Sequence, residues 1–322
     1  MQAILYQRYG SPDVLQLQEV AKPTPQADEV LIKIQAAAAN PLDWHHMRGQ
    51  PFLVRLTGGM RAPKDPRLGA DIAGYVEAVG NAVKTFQPGD QVFGEIGVGG
   101  FAEYVCAKET ALAPKPANLS FAQAAALPVV AFTALQGLRD HGQLQAGQKV
   151  LINGASGGVG TLAVQIAKAL GADVTGVCST RNIDLVRGLG ADRVIDYTQS
   201  DFTRGEQRYD LVYDAVGNRS VPDYRRALTP QGVCVIAGFS TLAWMLQIVL
   251  RGSWGGQKVS SHLAQPNQSD LLTIKELSES GKVIPVIDRC YPLAETAEAI
   301  RYLETARARG KVIITVAGTD KA

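Results

Sequence analysis

Two textures of hydrophobic and polar positions divide the chain. Up to about residue 120, apolar residues come in short runs, EVLIKIQAAA, IAGYVEAVG, DQVFGEI and FAEYVCA, separated by Pro and Gly turns such as QPGD. Short runs of this kind read as strands of a mostly antiparallel, partly barrel-like unit. From 121 an apolar helical stretch, FAQAAALPVVAFTALQGL, opens a regular alternation: KVLIN, TLAVQIAKALG, DVTGVC, NIDLVRGLG, RVIDY, DLVYDAVG, YRRALTP and GVCVIAG. Unbroken apolar strands, each followed by a helix-period segment, predict a parallel doubly wound sheet buried on both faces. After about 266 mixed elements return, with IPVIDRCYP, a helix at LAETAEAIRYLETARA and a last strand KVIITV. The expected fold class is α/β, a Rossmann sheet over 123–266 beside a mostly antiparallel β domain of 1–122 that the tail 267–322 completes.

Composition narrows the function classes. With 322 residues, 46% hydrophobic and 19% charged, the chain can fill two cores. A formal net charge of +2, with the basic residues scattered, gives no footprint for nucleic acid or an anionic membrane. The longest apolar run, LAWMLQIVL, is about half a membrane span, and MQAILYQRYG has no signal-like apolar region, so a cytoplasmic protein is expected. Cys106, Cys178, Cys234 and Cys290 are widely spaced with no C-x-x-C pair, which argues against a zinc ribbon or a disulfide framework.

The chemistry starts at VLINGASGGVG. Strand KVLIN runs into the glycines and then into an apolar-periodic helix, so Gly154, Gly157 and Gly160 fall at a strand-to-helix turn. There backbone N–H groups and a helix N-terminus can face a pyrophosphate that a Cβ would keep away. The spacing departs from the strict G-x-G-x-x-G fingerprint, and a plain tight turn is the alternative. An NAD-selecting site places Asp or Glu at the tip of the second strand. Here DVTGVC ends in Ser179-Thr180-Arg181, hydroxyls and a guanidinium that suit the 2′-phosphate of NADP(H); capping of the next helix is the alternative.

NPLDW, GADIAGYVEAVG, QPGDQVFG, ALPVVAFTAL, GASGGVG, LGADRVIDY, DAVGN and ARGKVIIT together resemble the medium-chain dehydrogenase/reductase superfamily, in its zinc-independent quinone oxidoreductase branch. The similarity extends to the chloroplast-envelope and alkenal-reducing group. This resemblance implies a GroES-like catalytic domain, a Rossmann domain and a nucleotide in the cleft. It implies Thr133 beside the nicotinamide ribose, Ser156, Gly157, Gly158 and Val159 on the pyrophosphate, and Ser179, Arg181 and Tyr197 around the 2′-phosphate. Val216, Gly217, Phe239 and Ser240 would follow the nicotinamide half, with Lys311 a tail contact near the cofactor.

The zinc-dependent branch has a metal-binding Cys where this chain has Asn40, and His plus an acid where it has Ala70-Asp71. No metal is therefore expected. The branch pattern N-x-x-D-x-Tyr has His45 in place of Tyr. Asn40 and Asp43 are candidates for fixing the nicotinamide ribose and the acceptor, and His45 for donating to a developing enolate or quinol oxygen; all three also have ordinary structural readings as turn or packed residues. Trp44, Phe52, Trp244 and Met245 are candidate walls for a flat substrate. The expectation is an NADPH-dependent reductase of a small quinone or α,β-unsaturated carbonyl, with no nucleic acid or membrane partner and room for a homodimer. A carbonyl reductase or alcohol dehydrogenase, or a non-catalytic NADPH-binding protein, remain as alternatives.

Overall fold

A computed structural model describes residues 1–237, 253–254 and 256–316. The first part of the chain gives β1 (Gln2–Leu5), β2 (Gln16–Glu19), β3 (Glu29–Ala39), α1 (Pro41–Arg48), α2 (Leu53–Gly58), β4 (Asp71–Val79), β5 (Gln91–Glu95), β6 (Tyr104–Lys108) and β7 (Leu112–Pro114). Then come α3 (Phe121–Ala125), α4 (Pro128–Gln136), β8 (Lys149–Asn153), α5 (Gly158–Ala169), β9 (Asp173–Cys178), α6 (Ile183–Gly188), β10 (Arg193–Asp196), β11 (Tyr209–Asp214), α7 (Val221–Ala227), β12 (Leu228–Ala237), β13 (Ser253–Trp254) and β14 (Gln257–His262). The tail adds α8 (Gln268–Glu279), β15 (Ile287–Pro292), α9 (Thr296–Glu304) and β16 (Lys311–Thr315). The described residues of Met1–Val129, Pro266–Gly281 and Pro285–Ala322 form one compact unit, and those of Val130–Gln265 and Lys282–Ile284 a second.

In the first unit the sheet order is β15-β16-β3-β4-β5-β7, with β6 also on β3, and every pairing is antiparallel except β15 with β16. β3 lies between strands on both sides, so Val30, Ile32, Ile34 and Ala36 to Ala39 are all buried. The apolar stretch from 121 is not one helix: it breaks at Leu127, and Pro128 starts α4, because Pro has no N–H to continue the ladder and suits a first helical turn. Ser120 and Gln123 cap α3 reciprocally.

The second unit carries the sheet β10-β9-β8-β11-β12-β14-β13, parallel from β10 to β14 and closed by antiparallel β13. The order reverses beside β8, where α/β sheets hold ligands outside the carboxyl ends of their strands. Val150, Leu151 and Ile152 are fully buried, as central parallel strands require. Leu162, Ala163, Val164 and Ile166 of α5 are likewise buried.

Candidate active site

The antiparallel unit gathers four polar side chains at one end of its sheet. Register pairs Ile313 with Ala38, Ala38 with Asp71 and Asp71 with Glu95, so these residues form one row across β16, β3, β4 and β5. Side chains paired directly across antiparallel strands share a face. Lys311 and Asn40 lie two residues along from Ile313 and Ala38, and the period of two returns them to that face.

Three of the four bind one another. Lys311 Nζ donates to Asn40 Oδ1 at 2.6 Å and to Asp71 Oδ2 at 3.1 Å. Asn40 Nδ2 donates to Asp71 Oδ2 at 3.0 Å and to the Ala38 carbonyl at 3.2 Å. Asp71 Oδ1 accepts the Val129 N–H at 2.9 Å. Exposures of 1% for Asn40, 0% for Asp71 and 4% for Lys311 put the cluster inside the protein, where an unpaired charge is costly. Lys311, expected as a tail contact near the cofactor, places its ammonium on Asn40, at the zinc branch's Cys position, and on Asp71, at the position of the acid that follows its His.

Asp43 is built in beside them. As the third residue of α1, its Oδ2 accepts the Asn40 N–H at 2.7 Å, while Oδ1 accepts the Gly69 N–H at 2.9 Å and ties α1 to the approach to β4. Burial pushes its carboxyl up to about 6, against the pull of the two N–H donors. Both hydrogens of the Asn40 amide and both oxygens of Asp43 are thus engaged within the protein.

His45 has a different constraint. Its Nδ1 lies 2.7 Å from the Gln50 carbonyl, which can only accept, so the neutral ring carries its proton on Nδ1 and none on Nε2. Burial also lowers its pKa, disfavouring the imidazolium. The neutral ring accordingly has no free N–H for an acceptor oxygen. Trp44 packs against it with ring centroids 3.7 Å apart, and Phe52 is 59% exposed.

In the parallel unit the glycines have distinct duties. Gly154 adopts φ +79°, left-handed and strained for residues with a Cβ. A Cβ on Gly160 would lie 2.0 Å from the Gly154 carbonyl oxygen, so only glycine lets α5 start this close to β8. Gly157 is the N-cap, and Gly158, Val159 and Gly160 open α5, whose first-turn N–H groups are the donors a helix start leaves for a ligand. Such a cradle fits a pyrophosphate. Ser156 Oγ accepts from Asn182 Nδ2 at 2.9 Å, and the same amide reaches Ser179 Oγ at 3.3 Å. Asn182 thereby joins the loop to the end of β9, a link not evident from the spacing of the motif.

Arg181 and Tyr197 are both exposed near that end, Tyr197 at the close of β10. Thr180 Oγ1 donates to Asp196 Oδ2 at 2.5 Å, a bond that holds the carboxyl below its ordinary range. The neighbouring strand thus supplies a carboxylate that the second strand lacks. Thr133 accepts the Tyr213 hydroxyl at its carbonyl, 2.9 Å away. Val216 and Gly217 sit on a turn held by Asp214, whose Oδ1 accepts both N–H groups at 2.6 and 2.8 Å while Oδ2 accepts from Tyr224 and Asn153. Phe239, Ser240, Trp244 and Met245 lie outside the described residues. Among the described residues no group of three or more His, Cys, Asp or Glu side chains is placed to hold a metal, and none of their helices is long and apolar enough to cross a membrane.

An antiparallel unit completed by the chain's tail, with a parallel unit carrying a glycine loop at its sheet reversal, defines a two-unit α/β protein of the nucleotide-binding type. Residues 26–117 match the family described as alcohol dehydrogenase GroES-like domain, and 189–314 that described as zinc-binding dehydrogenase. The chain is 38% identical to 2-methylene-furan-3-one reductase of Solanum lycopersicum, over 98% of its own length and 79% of the relative's. It is 34% identical to the chloroplastic NADPH-dependent alkenal/one oxidoreductase of Arabidopsis thaliana, with the same coverage. The solved quinone oxidoreductase of Coxiella burnetii superposes with a TM-score of 0.87 at 32% identity, covering 98% of this chain and 99% of that one. The chain belongs to the medium-chain dehydrogenase/reductase superfamily.

Proposed function

We propose that the protein is an NADPH-dependent, metal-independent oxidoreductase that reduces a conjugated acceptor, a quinone or an α,β-unsaturated carbonyl. The observation that carries the reading is the glycine cradle, where Gly154 and Gly160 admit no side chain at the start of α5. Relatives described as alkenal/one and quinone oxidoreductases support the choice of acceptor. Ser156 to Val159 would hold the pyrophosphate, Ser179, Arg181 and Tyr197 the 2′-phosphate, and Thr133, Val216, Gly217, Phe239 and Ser240 the nicotinamide half. Bound NADPH supplies the hydride.

The protein's own part is to bind a flat acceptor and steady the charge it gains. Asn40, Asp71 and Lys311 form a fixed polar floor to the antiparallel unit, and Asp43 fixes α1 above it. Without a Lewis acid, an isolated carbonyl is a poor acceptor, whereas a conjugated one spreads the incoming charge over its own atoms. The four cysteines, all free, support a reducing compartment, the cytoplasm in our reading.

The test offers one quinone, one enone and one saturated ketone at equal concentration with NADPH and identifies the products. Reduction of the quinone or of the enone C=C bond is expected. Fastest turnover of the saturated ketone to its alcohol would replace this reading with a carbonyl reductase.

A further inference from the structure

We propose that Glu95 is the acid that protonates the reduced acceptor. The inference rests on the oxidoreductase reading above and names the proton source that reading lacks.

The geometry sets Glu95 apart from its neighbours. It is the last residue of β5, paired with Asp71, on the face that also carries Asn40 and Lys311. Those three are buried and satisfy one another, whereas Glu95 is half-buried and, among the described residues, no hydrogen bond or ion pair reaches its carboxyl. It is therefore the one member of the four that is not fully buried and whose carboxyl is left for a ligand among the described residues. The chain leaves it through Ile96 and the left-handed glycines Gly97 and Gly99, at φ +81° and +99°.

The surroundings keep the proton on. Burial raises the carboxyl and the Asp71 charge on β4 raises it further, while Lys311 on β16 opposes them; the outcome is about 8. β7, on the far side of β5, and α3, packed nearby, carry no titratable side chain. A carboxylic acid that is neutral at pH 7, yet close to giving up its proton, suits a general acid. The other candidates are less able: neutral His45 has used its N–H on Gln50, and Asp43 is enclosed with both oxygens accepting backbone N–H groups.

The step balances. Bound NADPH would supply a hydride to the β-carbon of an enone, the C=C electron pair moving to the carbonyl side as an enolate. The Glu95 O–H bond then breaks as a C–H bond forms at the α-carbon, leaving a saturated carbonyl and a carboxylate that water reprotonates. With a quinone the same proton goes to the quinol oxygen.

Glu95→Gln keeps the shape of the neutral acid, so thermal stability and NADPH affinity should stay near wild type while kcat falls by about a hundredfold. Wild-type kcat/KM should decline above about pH 8, a limb absent in Glu95→Gln and retained in a partly active Glu95→Asp. Independently of any acceptor, infrared titration of the free protein should show a carboxyl still protonated at pH 7 that Glu95→Gln removes. A Glu95→Gln enzyme within about twofold of wild-type kcat, or with its alkaline limb intact, overturns the assignment while leaving the oxidoreductase reading standing. A wild type that oxidises NADPH with neither quinone nor enone overturns both.

Discussion

The two units handle polar groups in opposite ways. In the antiparallel unit Asn40, Asp43, Asp71 and Lys311 come from separated parts of the chain and close on one another in the interior. In the parallel unit the loop from Gly154 to Gly160 leaves the first N–H groups of α5 open and keeps Ser156 to Val159 half-buried. The first arrangement is a rigid backing whose removal should be felt as stability. The second is a receptor whose alteration should be felt as affinity.

The largest expected effect breaks the backing. Lys311→Met would strand the Asp71 carboxylate without its cation, and removing one partner of a buried pair costs about 3–5 kcal/mol. Chemical denaturation should show that loss. Adding Asp71→Asn to the Lys311→Met protein should recover most of it, because the stranded charge is then gone. A single variant as stable as wild type would mean that the cluster is not electrostatically closed.

A smaller effect is expected at the receptor. Arg181 stands beside Ser179 at the end of β9, and one charge-assisted hydrogen bond contributes roughly 1.5–3 kcal/mol. Arg181→Ala should weaken NADPH by about one to two decades in Kd and leave NADH and the unfolding midpoint almost unchanged. Fluorescence titration with both nucleotides decides the matter: an equal loss for both would remove Arg181 from the 2′-phosphate. Asp196 makes the measurement sharper, since its carboxylate holds Thr180 on the same side of the sheet and would repel a dianion placed too near.

The contrast also explains what the sequence could disclose. The glycine loop is local: strand, turn and helix are consecutive, and left-handed Gly154 and close-packed Gly160 leave their mark in the residue types themselves. Alternating apolar runs announced the parallel sheet for the same reason. The buried cluster is assembled by register, joining residues 40, 71, 95 and 311 only after four strands have paired. Asn40 and Asp43 were visible as chemistry beside Pro41, but not that their donors and acceptors face inward. Lys311 was expected near the cofactor, and nothing in KVIITV tells that its ammonium meets Asn40 and Asp71. Glu95 carried no signal, because its unusual environment comes wholly from neighbours distant in sequence. Asn182 was hidden differently, next to a segment read for Ser179, Thr180 and Arg181.

The smallest expected effect is none, and it bears on the backing once more. Catalytic zinc takes about three protein ligands from Cys, His or carboxylate. At the corresponding place here an amide oxygen and a carboxylate oxygen already face a tethered ammonium, at 2.6 and 3.1 Å. A divalent ion would have to displace Lys311 or sit against its charge, and Asn40 is a weak ligand compared with a thiolate. Protein purified without added metal should therefore contain well under one zinc per chain, and a strong chelator should change neither turnover nor the unfolding midpoint. Stoichiometric zinc that tracks with activity would show that Lys311 gives way to a metal, and the reasoning from a conjugated acceptor would fall with it.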